Sequence, residues 1–194
     1  MDALVSKWNR IYSQSEHESY VPAQVLTDNE FLLPEAGTAL DLACGLGANA
    51  VFLAQQGLAV TALDISSVAI EKLTAYAAQQ GLSIDARQQK IDHYSLADLK
   101  FDVIVVSRFL DRALSDAIID ALNPAGLLFY QTYTREKAGW HGPNNPDYLL
   151  EENELLDLFS PLRVIFYRDN GRIGNKNLGL RGEAQFIGQK YIEI

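Results

Sequence analysis

The segment from Leu40 to Asn49 has the residue types of a ligand-binding turn. Gly45 and Gly47 allow a tight turn after an apolar run, and they leave no side chain to block a ligand lying on the backbone. The helix predicted after the turn directs its free N–H groups into the same space. Asp64 ends the next predicted strand, where its carboxylate can accept hydrogen bonds from both ribose hydroxyls of an adenosine. The pattern therefore predicts a site for a cofactor that contains adenosine.

Charge separates the two kinds of adenosine cofactor that this turn could hold. The residues from Gly45 to Ala50 also satisfy the fingerprint of dinucleotide-binding folds, which place a pyrophosphate at a helix N-terminus. Here Asp41 lies beneath the turn, and no Lys or Arg occurs between Glu35 and Glu71. S-adenosylmethionine has no phosphate and carries an ammonium and a sulfonium group, which acidic surroundings suit. We therefore predict S-adenosylmethionine as the cofactor, with an NAD(P)-dependent oxidoreductase as the alternative.

Strand-like and helix-like patterns alternate from Gly37 onward and predict the elements that position the turn. Strands are expected at Thr38–Ala43, Leu58–Leu63, Ile84–Gln88, Phe101–Val106, Leu127–Thr132, Arg163–Tyr167 and Glu183–Tyr191. Helices are expected at Ala48–Gln56, from the N-cap Ser66 to Gly81, and at Asp111–Leu122 and Glu151–Phe159. This order predicts an α/β fold with a Rossmann-like, doubly wound, mostly parallel seven-stranded sheet in three α/β/α layers. Only a loop separates the last two strands, so the last strand is expected to be antiparallel.

Length and composition predict one domain over residues 1–194, with a cap or lid in residues 1–36 and the Rossmann-like core in 37–194. The formal net charge is −9 and no cluster of basic residues occurs, which favours a small-molecule substrate over a nucleic acid. One cysteine, Cys44, and the lack of a signal peptide or a membrane-length apolar run predict a cytoplasmic protein without membrane association. His17, His93 and His141 lie far apart in sequence, so no metal site is predicted.

Five segments resemble the motifs of class I S-adenosylmethionine-dependent methyltransferases. Ala39–Gly57 and Val60–Ile65 resemble the first and second motifs, and Ile91-Asp92 looks like the third. Phe101–Arg112 is similar to the fourth motif, and Asn123–Tyr133 is similar to the segment around strand five. Within this superfamily the chain looks most similar to the small tellurite-resistance and thiopurine-type methyltransferases.

The resemblance implies a role for each matching position. The turn and Asp41 would face the methionine part of the cofactor, Asp64 would hold the ribose and Asp92 would bind the adenine amine. Ala43 stands where many members have a glycine; an alanine with negative φ would be tolerated there and would narrow the pocket. The residues expected to bind the cofactor are Asp41, Ala43, Gly45, Gly47, Asn49, Asp64, Ile65, Asp92, Ser107, Arg108 and Arg10.

Methyl transfer is an in-line displacement at carbon, so the protein must mainly align the nucleophile with the methyl group. Enzymes that methylate amide or aromatic amino nitrogens often have an Asn/Asp-Pro-Pro-Tyr run after strand four. The chain has Ser107-Arg108-Phe109-Leu110 there, which disfavours that class. A soft or anionic acceptor such as a thiol or an oxyanion of selenium or tellurium is expected instead. A non-catalytic sensor of the cofactor is a further alternative.

Three residues are predicted to act on the acceptor. Arg108 would hold an anionic acceptor, unless it pairs with Asp111 or Asp116. Tyr133 would face the cleft from the end of strand five, and His141 in the long polar loop could serve as a general base. Further candidate contacts to the acceptor or the cofactor are Trp8, Arg112, Arg135 and Trp140.

Overall fold

The computed structural model describes residues 2–15, 21–137 and 142–192, which are built around one seven-stranded sheet. The strands are β1 (Thr38–Leu42), β2 (Ala59–Asp64), β3 (Ile84–Gln88), β4 (Phe101–Ser107), β5 (Leu122–Tyr133), β6 (Arg163–Arg168) and β7 (Glu183–Gln189). The helices are α1 (Asp2–Ser13), α2 (Gln24–Thr27), α3 (Ala48–Gln55), α4 (Ser67–Gln80), α5 (Ser115–Asp120) and α6 (Glu154–Leu158).

The strand order is β3-β2-β1-β4-β5-β7-β6. The pairs among β1 to β5 are parallel, whereas β7 runs antiparallel to both β5 and β6. The predicted mostly parallel sheet with an antiparallel last strand is confirmed. Because β7 is reversed, its first residues lie beside the carboxyl ends of the other strands, along what we call the carboxyl edge.

The central strands are buried on both faces, which explains why their sequences show no polar alternation. In β4, Val103 and Val105 pack with residues of α2, α3 and α4, whereas Ile104 and Val106 pack with residues of α5 and α6. All four valine and isoleucine side chains are fully buried. The predicted three-layer arrangement is therefore confirmed.

Several predicted boundaries are wrong. In place of a helix over Asp111–Leu122, the chain forms a 3-10 turn at Arg112–Leu114 and the short helix α5. Strand β5 begins at Leu122 rather than Leu127, because Leu122 pairs with Phe101. The register shifts before the next pair, Val103 with Leu127, and the extra residues of this irregularity lie in β5. Pro124 lacks an N–H group, which such an irregularity tolerates.

The last helix and the last strand are also shorter than predicted. Helix α6 covers Glu154–Leu158 instead of Glu151–Phe159, since Asn153 has the left-handed φ of +63° just before it. Strand β7 ends at Gln189 rather than Tyr191. Among residues 2–15, 21–137 and 142–192, no helix is long and apolar enough to cross a lipid bilayer.

Candidate active site

A row of polar side chains crosses the sheet near its carboxyl edge, on the face covered by α2 and α3. It consists of Asp41 in β1, Ser107 in β4, Gln131 in β5 and Gln185 in β7, which we call the polar strip. Each of the four lies two residues along its strand from an apolar residue that packs against those helices. Because side chains two residues apart on a strand point to the same face, the four polar side chains also face α2 and α3. Ser107 is opposite Gln131, and Gln131 is opposite Gln185.

Side-chain hydrogen bonds join the members of the polar strip. The Asn49 amide donates to Asp41 Oδ1 at 3.3 Å and to Ser107 Oγ at 3.0 Å, and Gln185 Nε2 donates to Gln131 Oε1 at 2.8 Å. The backbone before and within α2 is anchored to the same groups. Ala23 N donates to Asn49 Oδ1 and Val25 N donates to Gln131 Oε1, each at 2.8 Å.

The predicted cofactor turn has the backbone that its glycines suggest. Gly45 and Gly47 have φ of +54° and +78°, the left-handed region that favours glycine. A Cβ atom on Gly45 would lie 2.7 Å from the Tyr12 hydroxyl, and one on Gly47 would overlap the Leu73 methyl groups. Space and φ therefore both require glycine at these two positions.

Ala43 departs from the expectation. Its φ is +57°, so the negative φ under which alanine would be tolerated is not what the turn adopts. A left-handed conformation costs a residue with a Cβ about 1–2 kcal/mol relative to the right-handed one. The first position of the turn therefore stores backbone strain, as positions at functional sites commonly do.

Asp41 lies fully buried beneath the first turn of α3. Its Oδ2 accepts a hydrogen bond from Ala50 N at 3.0 Å, and its Oδ1 accepts the bond from Asn49. Burial raises the pKa of Asp41 from 3.8 to about 7, although both hydrogen bonds act in the opposite direction. A cation bound near this carboxylate would favour its ionised form and lower the pKa again.

Asp64 joins the end of β2 to the glycine turn. Its two oxygens accept separate backbone hydrogen bonds, from Gly45 N and from Ser66 N, both at 2.8 Å. Burial raises the pKa of Asp64 despite these bonds. Each carboxylate oxygen keeps a second lone pair, so the group can hold the turn and still accept a hydrogen bond from a ribose hydroxyl.

Helix α1 covers the cofactor turn. Asn9 Oδ1 accepts a 2.6 Å hydrogen bond from the Ser66 hydroxyl, and the Trp8 ring stacks on Tyr12 with centroids 5.6 Å apart. Tyr12 is buried and lies directly above Gly45. The Arg10 side chain, which was predicted to grip the cofactor, is exposed on the same helix.

The residues predicted to bind adenine lie beyond β2 and β3. The carbonyl of Ile65 accepts a 3.2 Å hydrogen bond from Gln88 Nε2. Asp92 caps a 3-10 turn, where its carboxylate and the Ser95 hydroxyl bond each other's backbone N–H groups, and it lies 3.4 Å from Lys90 Nζ. The side chain of Asp92 is one-third exposed, so an outward-facing oxygen is available to a ligand.

Arg108 lies at the end of β4, and its side chain is half exposed. Its ion-pair partner is neither Asp111 nor Asp116 but Glu183, whose Oε1 is 3.4 Å from Arg108 Nε. The backbone of Arg108 is left-handed, with φ of +52°, and its N–H donates to the carbonyl of Gln131 at 2.8 Å. The left-handed backbone and its hydrogen bond thus fix the position of Arg108 at the end of β4.

Glu183, like Gln131 and Gln185, was not predicted from the sequence as a residue of the site. It begins β7 opposite Tyr133 of β5, is largely buried, and accepts a 2.6 Å hydrogen bond from Gln131 Nε2 at Oε2. We call Ser107, Arg108, Gln131, Tyr133 and Glu183 the acceptor half of the site. No motif surrounds Glu183 in the sequence, and the register of β7 against β5 in the structure is what places it at the site.

Two other arginines that were candidate contacts hold the loop instead. Arg112 donates to both Glu154 oxygens and to the carbonyls of Asp147 and Leu149, and Arg135 pairs with Glu151. Tyr133 ends β5, and its ring packs against Gly142. Trp140 and His141 lie outside the described residues.

Comparisons with known proteins agree with this geometry. Residues 39–126 match the model of a family described as a methyltransferase domain. Ubiquinone biosynthesis O-methyltransferase of Pasteurella multocida is 31% identical over 116 residues, which are 52% of this chain and 48% of that protein. The chain thus spans about half the length of the curated relatives it matches.

Solved structures share the fold over most of this chain. TehB of Haemophilus influenzae has a TM-score of 0.71 at 20% identity, covering 94% of this chain and 67% of that one. A second structure concerns the conversion of a disulfide bond into a thioacetal group during echinomycin biosynthesis. Its TM-score is 0.70 at 20% identity, and the match covers 97% of this chain and 92% of that one.

These findings agree with the predicted superfamily and with S-adenosylmethionine as its cofactor. The buried acids Asp41 and Asp64 and the glycine turn between them fit that cofactor. Residues 39–126 thus match a methyltransferase domain, and the chain shares the fold of the class I S-adenosylmethionine-dependent methyltransferases.

Proposed function

We propose that this protein transfers the methyl group of S-adenosylmethionine to a small molecule with a soft or anionic nucleophile, such as a thiol or an oxyanion of selenium or tellurium. The bound cofactor would supply a methyl group on a sulfonium sulfur. The protein's part is to align the acceptor with that group at ~3–3.5 Å, which can lower the barrier by several kcal/mol.

The observation that carries the choice of cofactor in this proposal is the position of Asp41. The buried carboxylate of Asp41 accepts the hydrogen bond of the Ala50 N–H group at the start of α3. In a dinucleotide-binding fold the N–H groups at this end of the helix would bind a phosphate. A phosphate brought beside Asp41 and Asp64 would be repelled, whereas an ammonium or sulfonium group would be attracted. The electrostatics of the turn thus favour the sulfonium cofactor.

The proposed contacts follow the strands. Asp64 would bind the ribose, with Ile65 and Asp92 at the adenine. Asp41 and the backbone of the turn would face the methionine part, and α1 would cover it. The backbone of Ser107 and Arg108 would lie beneath the methyl group, with Tyr133 and the side chain of Arg108 beside the acceptor.

Two kinds of similar protein, the curated relatives and a solved structure, support a small molecule as the methyl acceptor. The curated relatives are named for O-methylation in ubiquinone biosynthesis, and the echinomycin protein acts on a disulfide, which is a sulfur substrate. The half-exposed guanidinium of Arg108 can stabilise negative charge as it forms on such a nucleophile. The fold likeness to TehB also agrees with the predicted tellurite-resistance subgroup.

Titration calorimetry with S-adenosylhomocysteine and with NAD tests the cofactor. We expect S-adenosylhomocysteine to bind and NAD not to bind; the reverse would overturn the proposal. A panel of thiols, selenite, tellurite and catechols, assayed for methylated product with S-adenosylmethionine, tests the acceptor. Turnover of catechols alone would replace the soft acceptor with an oxygen acceptor, and no product from any of them would favour the sensor.

A pair of arginine variants makes the acceptor test specific. Arg108→Ala should lower kcat/KM for the acceptor and leave the affinity for S-adenosylhomocysteine nearly unchanged. Arg163→Ala is the control, because Arg163 begins β6 at the opposite edge of the sheet and is exposed. Equal activity of the two variants would remove Arg108 from the acceptor site.

A further inference from the structure

We propose that the acceptor binds in its protonated, uncharged form and that Glu183 takes its proton during methyl transfer. This inference rests on the proposed function and narrows it, because it favours a thiol over an oxyanion. Glu183 has been placed by the long-range pairing of β7 with β5, and none of the sequence motifs includes it.

The position of Glu183 suits a proton acceptor. Its Oε2 is fixed by Gln131 Nε2 at 2.6 Å, and its Oε1 is held more loosely, 3.4 Å from Arg108 Nε. Oε1 therefore keeps the capacity to bond an acceptor X–H group that approaches Arg108. The neighbouring groups, Gln131 and Gln185, are amides that cannot take up a proton at neutral pH.

Charge in the acceptor half disfavours an anion. The formal charges of Arg108 and Glu183 cancel, and the remaining charged groups of the site, Asp41 and Asp64, are acids. Arg168 lies opposite Gln185 in β6, and its Nη2 atom is 4.0 Å from Asp28, so these two formal charges also cancel. Its buried Nε and Nη2 atoms have no hydrogen-bond partner among the described residues. An anionic acceptor atom that approaches Arg108 would be repelled by the Glu183 carboxylate beside it, whereas a neutral thiol or hydroxyl can donate a hydrogen bond to that carboxylate.

The chemical step balances with these groups alone. The acceptor atom X attacks the methyl carbon, and the bond from that carbon to the cofactor sulfur breaks with its electron pair staying on sulfur. The X–H bond breaks as the X–C bond forms, and the proton passes to Glu183 Oε1. Arg108 stabilises the negative charge that develops on X before the new bond is complete.

Thiols of graded acidity test the proposal. We would compare wild type, Glu183→Gln and the control Glu71→Gln, an exposed position on α4, using aryl thiols ionised at the assay pH and alkyl thiols that are not. Glu183→Gln should lower kcat/KM about 100-fold for the alkyl thiols, since a general base contributes at least that much. The aryl thiols should be affected little, and Glu71→Gln should match wild type.

A binding measurement tests the protonation state without turnover. The alkyl thiol is titrated into the protein saturated with S-adenosylhomocysteine, in two buffers of different ionisation enthalpy. No net proton release is expected; release of one proton per thiol would show that the thiolate binds and would overturn the inference.

The outcomes separate this inference from the proposed function. Equal losses by Glu183→Gln for both thiol classes, or no loss for either, would overturn the role of Glu183 in an enzyme that still methylates thiols. A wild-type protein that binds S-adenosylhomocysteine and methylates nothing would overturn the proposed function, and the inference with it.

Discussion

The two halves of the site are built from contacts of different range. We call Asp41, the glycine turn, Asn49, Ala50 and Asp64 the cofactor half. In it, Asp41 reaches Asn49 and Ala50, eight and nine residues away, and Asp64 reaches Gly45, nineteen residues away. In the acceptor half, Arg108 reaches Glu183 over 75 residues and Gln131 reaches it over 52. The first half is contained in one β-α-β unit, and the second exists only once β4, β5 and β7 are side by side.

This difference in range accompanies a difference in how firmly the groups are held. Each carboxylate of the cofactor half is buried and bonded to backbone N–H groups. In the acceptor half, Arg108 is half exposed and makes a 3.4 Å contact. We expect this division where related proteins share a cofactor and differ in their acceptors. The half that binds the cofactor can then be rigid, and the half that binds the acceptor can be more open.

The largest effect should come from Asp41, through the pH dependence of stability. Its pKa is about 7 in the folded protein and 3.8 as the ordinary value. The contribution of Asp41 to the free energy of unfolding is therefore fully present below pH 3.8. It is lost as pH rises towards 7, because Asp41 ionises at lower pH in the unfolded chain than in the folded protein. At 1.36 kcal/mol per pKa unit the loss is on the order of 4 kcal/mol.

Asp41→Asn should remove that slope. Urea unfolding between pH 4.5 and 8 would show wild type losing stability with rising pH and the variant losing much less, with the remainder due to Asp64. Asp85→Asn, at an exposed carboxylate of β3, is the control and should keep the wild-type slope. The same slope in Asp41→Asn would mean that Asp41 does not titrate in this range.

Removal of Asp64 should weaken the cofactor half directly. Asp64→Ala removes the partner of two backbone N–H groups and the proposed ribose contact, so binding of S-adenosylhomocysteine should weaken by about 1–3 kcal/mol. Calorimetry of Asp64→Ala beside Asp85→Ala measures the difference. Unchanged affinity would mean that the ribose lies elsewhere.

Replacing Arg112 should reduce the free energy of unfolding more than replacing Arg108. Arg112→Ala breaks four hydrogen bonds that hold the segment from Asp147 to Glu154, so it should lower the free energy of unfolding by about 1.5–3 kcal/mol. Arg108→Ala should lower it by less, about 1 kcal/mol, because the Arg108 side chain is half exposed and makes one contact of 3.4 Å. Urea denaturation of both variants checks this, and a larger stability loss for Arg108→Ala would make the acceptor half as structural as the loop.

The smallest effect should be a gain in stability at the glycine turn. Ala43→Gly removes a left-handed strain of about 1–2 kcal/mol, against about 0.4–1 kcal/mol for the freer unfolded chain. We expect a net stabilisation of about 0.5–1 kcal/mol by thermal or urea unfolding. Ala54→Gly, inside α3, should instead destabilise by about 1 kcal/mol, and a loss of stability in both would mean that Ala43 is not strained.

The sheet and the glycine turn could be predicted because their sequence signals are local. The apolar strands, the N-cap Ser66 and the terminal Gly81 each act within a few residues, and the structure confirms them. The start of β5 was missed because Pro124 and Gly126 suggest a turn, while pairing of Leu122 with Phe101 keeps the chain in the sheet. Tertiary pairing outweighed local preference there.

The acceptor half could not be predicted for a related reason. Nothing near Glu183 indicates that it will lie beside Arg108, and the nearby acids Asp111 and Asp116 were the better local partners for that arginine. Asp111 instead caps the turn at Arg112–Leu114 by accepting from Ala113 N. Only the register of β7 against β5, which sequence periodicity leaves undetermined, brings Glu183 to the site.

The position of β7 between β5 and β6 also constrains the order of assembly. Strand β6 is synthesised first, yet in the described sheet its bonding partner is β7. A nascent chain can thus form β1 to β5 and the cofactor turn while β6 still waits for its neighbour. Insertion of β7 is then a late, non-local step, of the kind that slows folding. The same step would turn a chain that can bind its cofactor into one that can also process an acceptor.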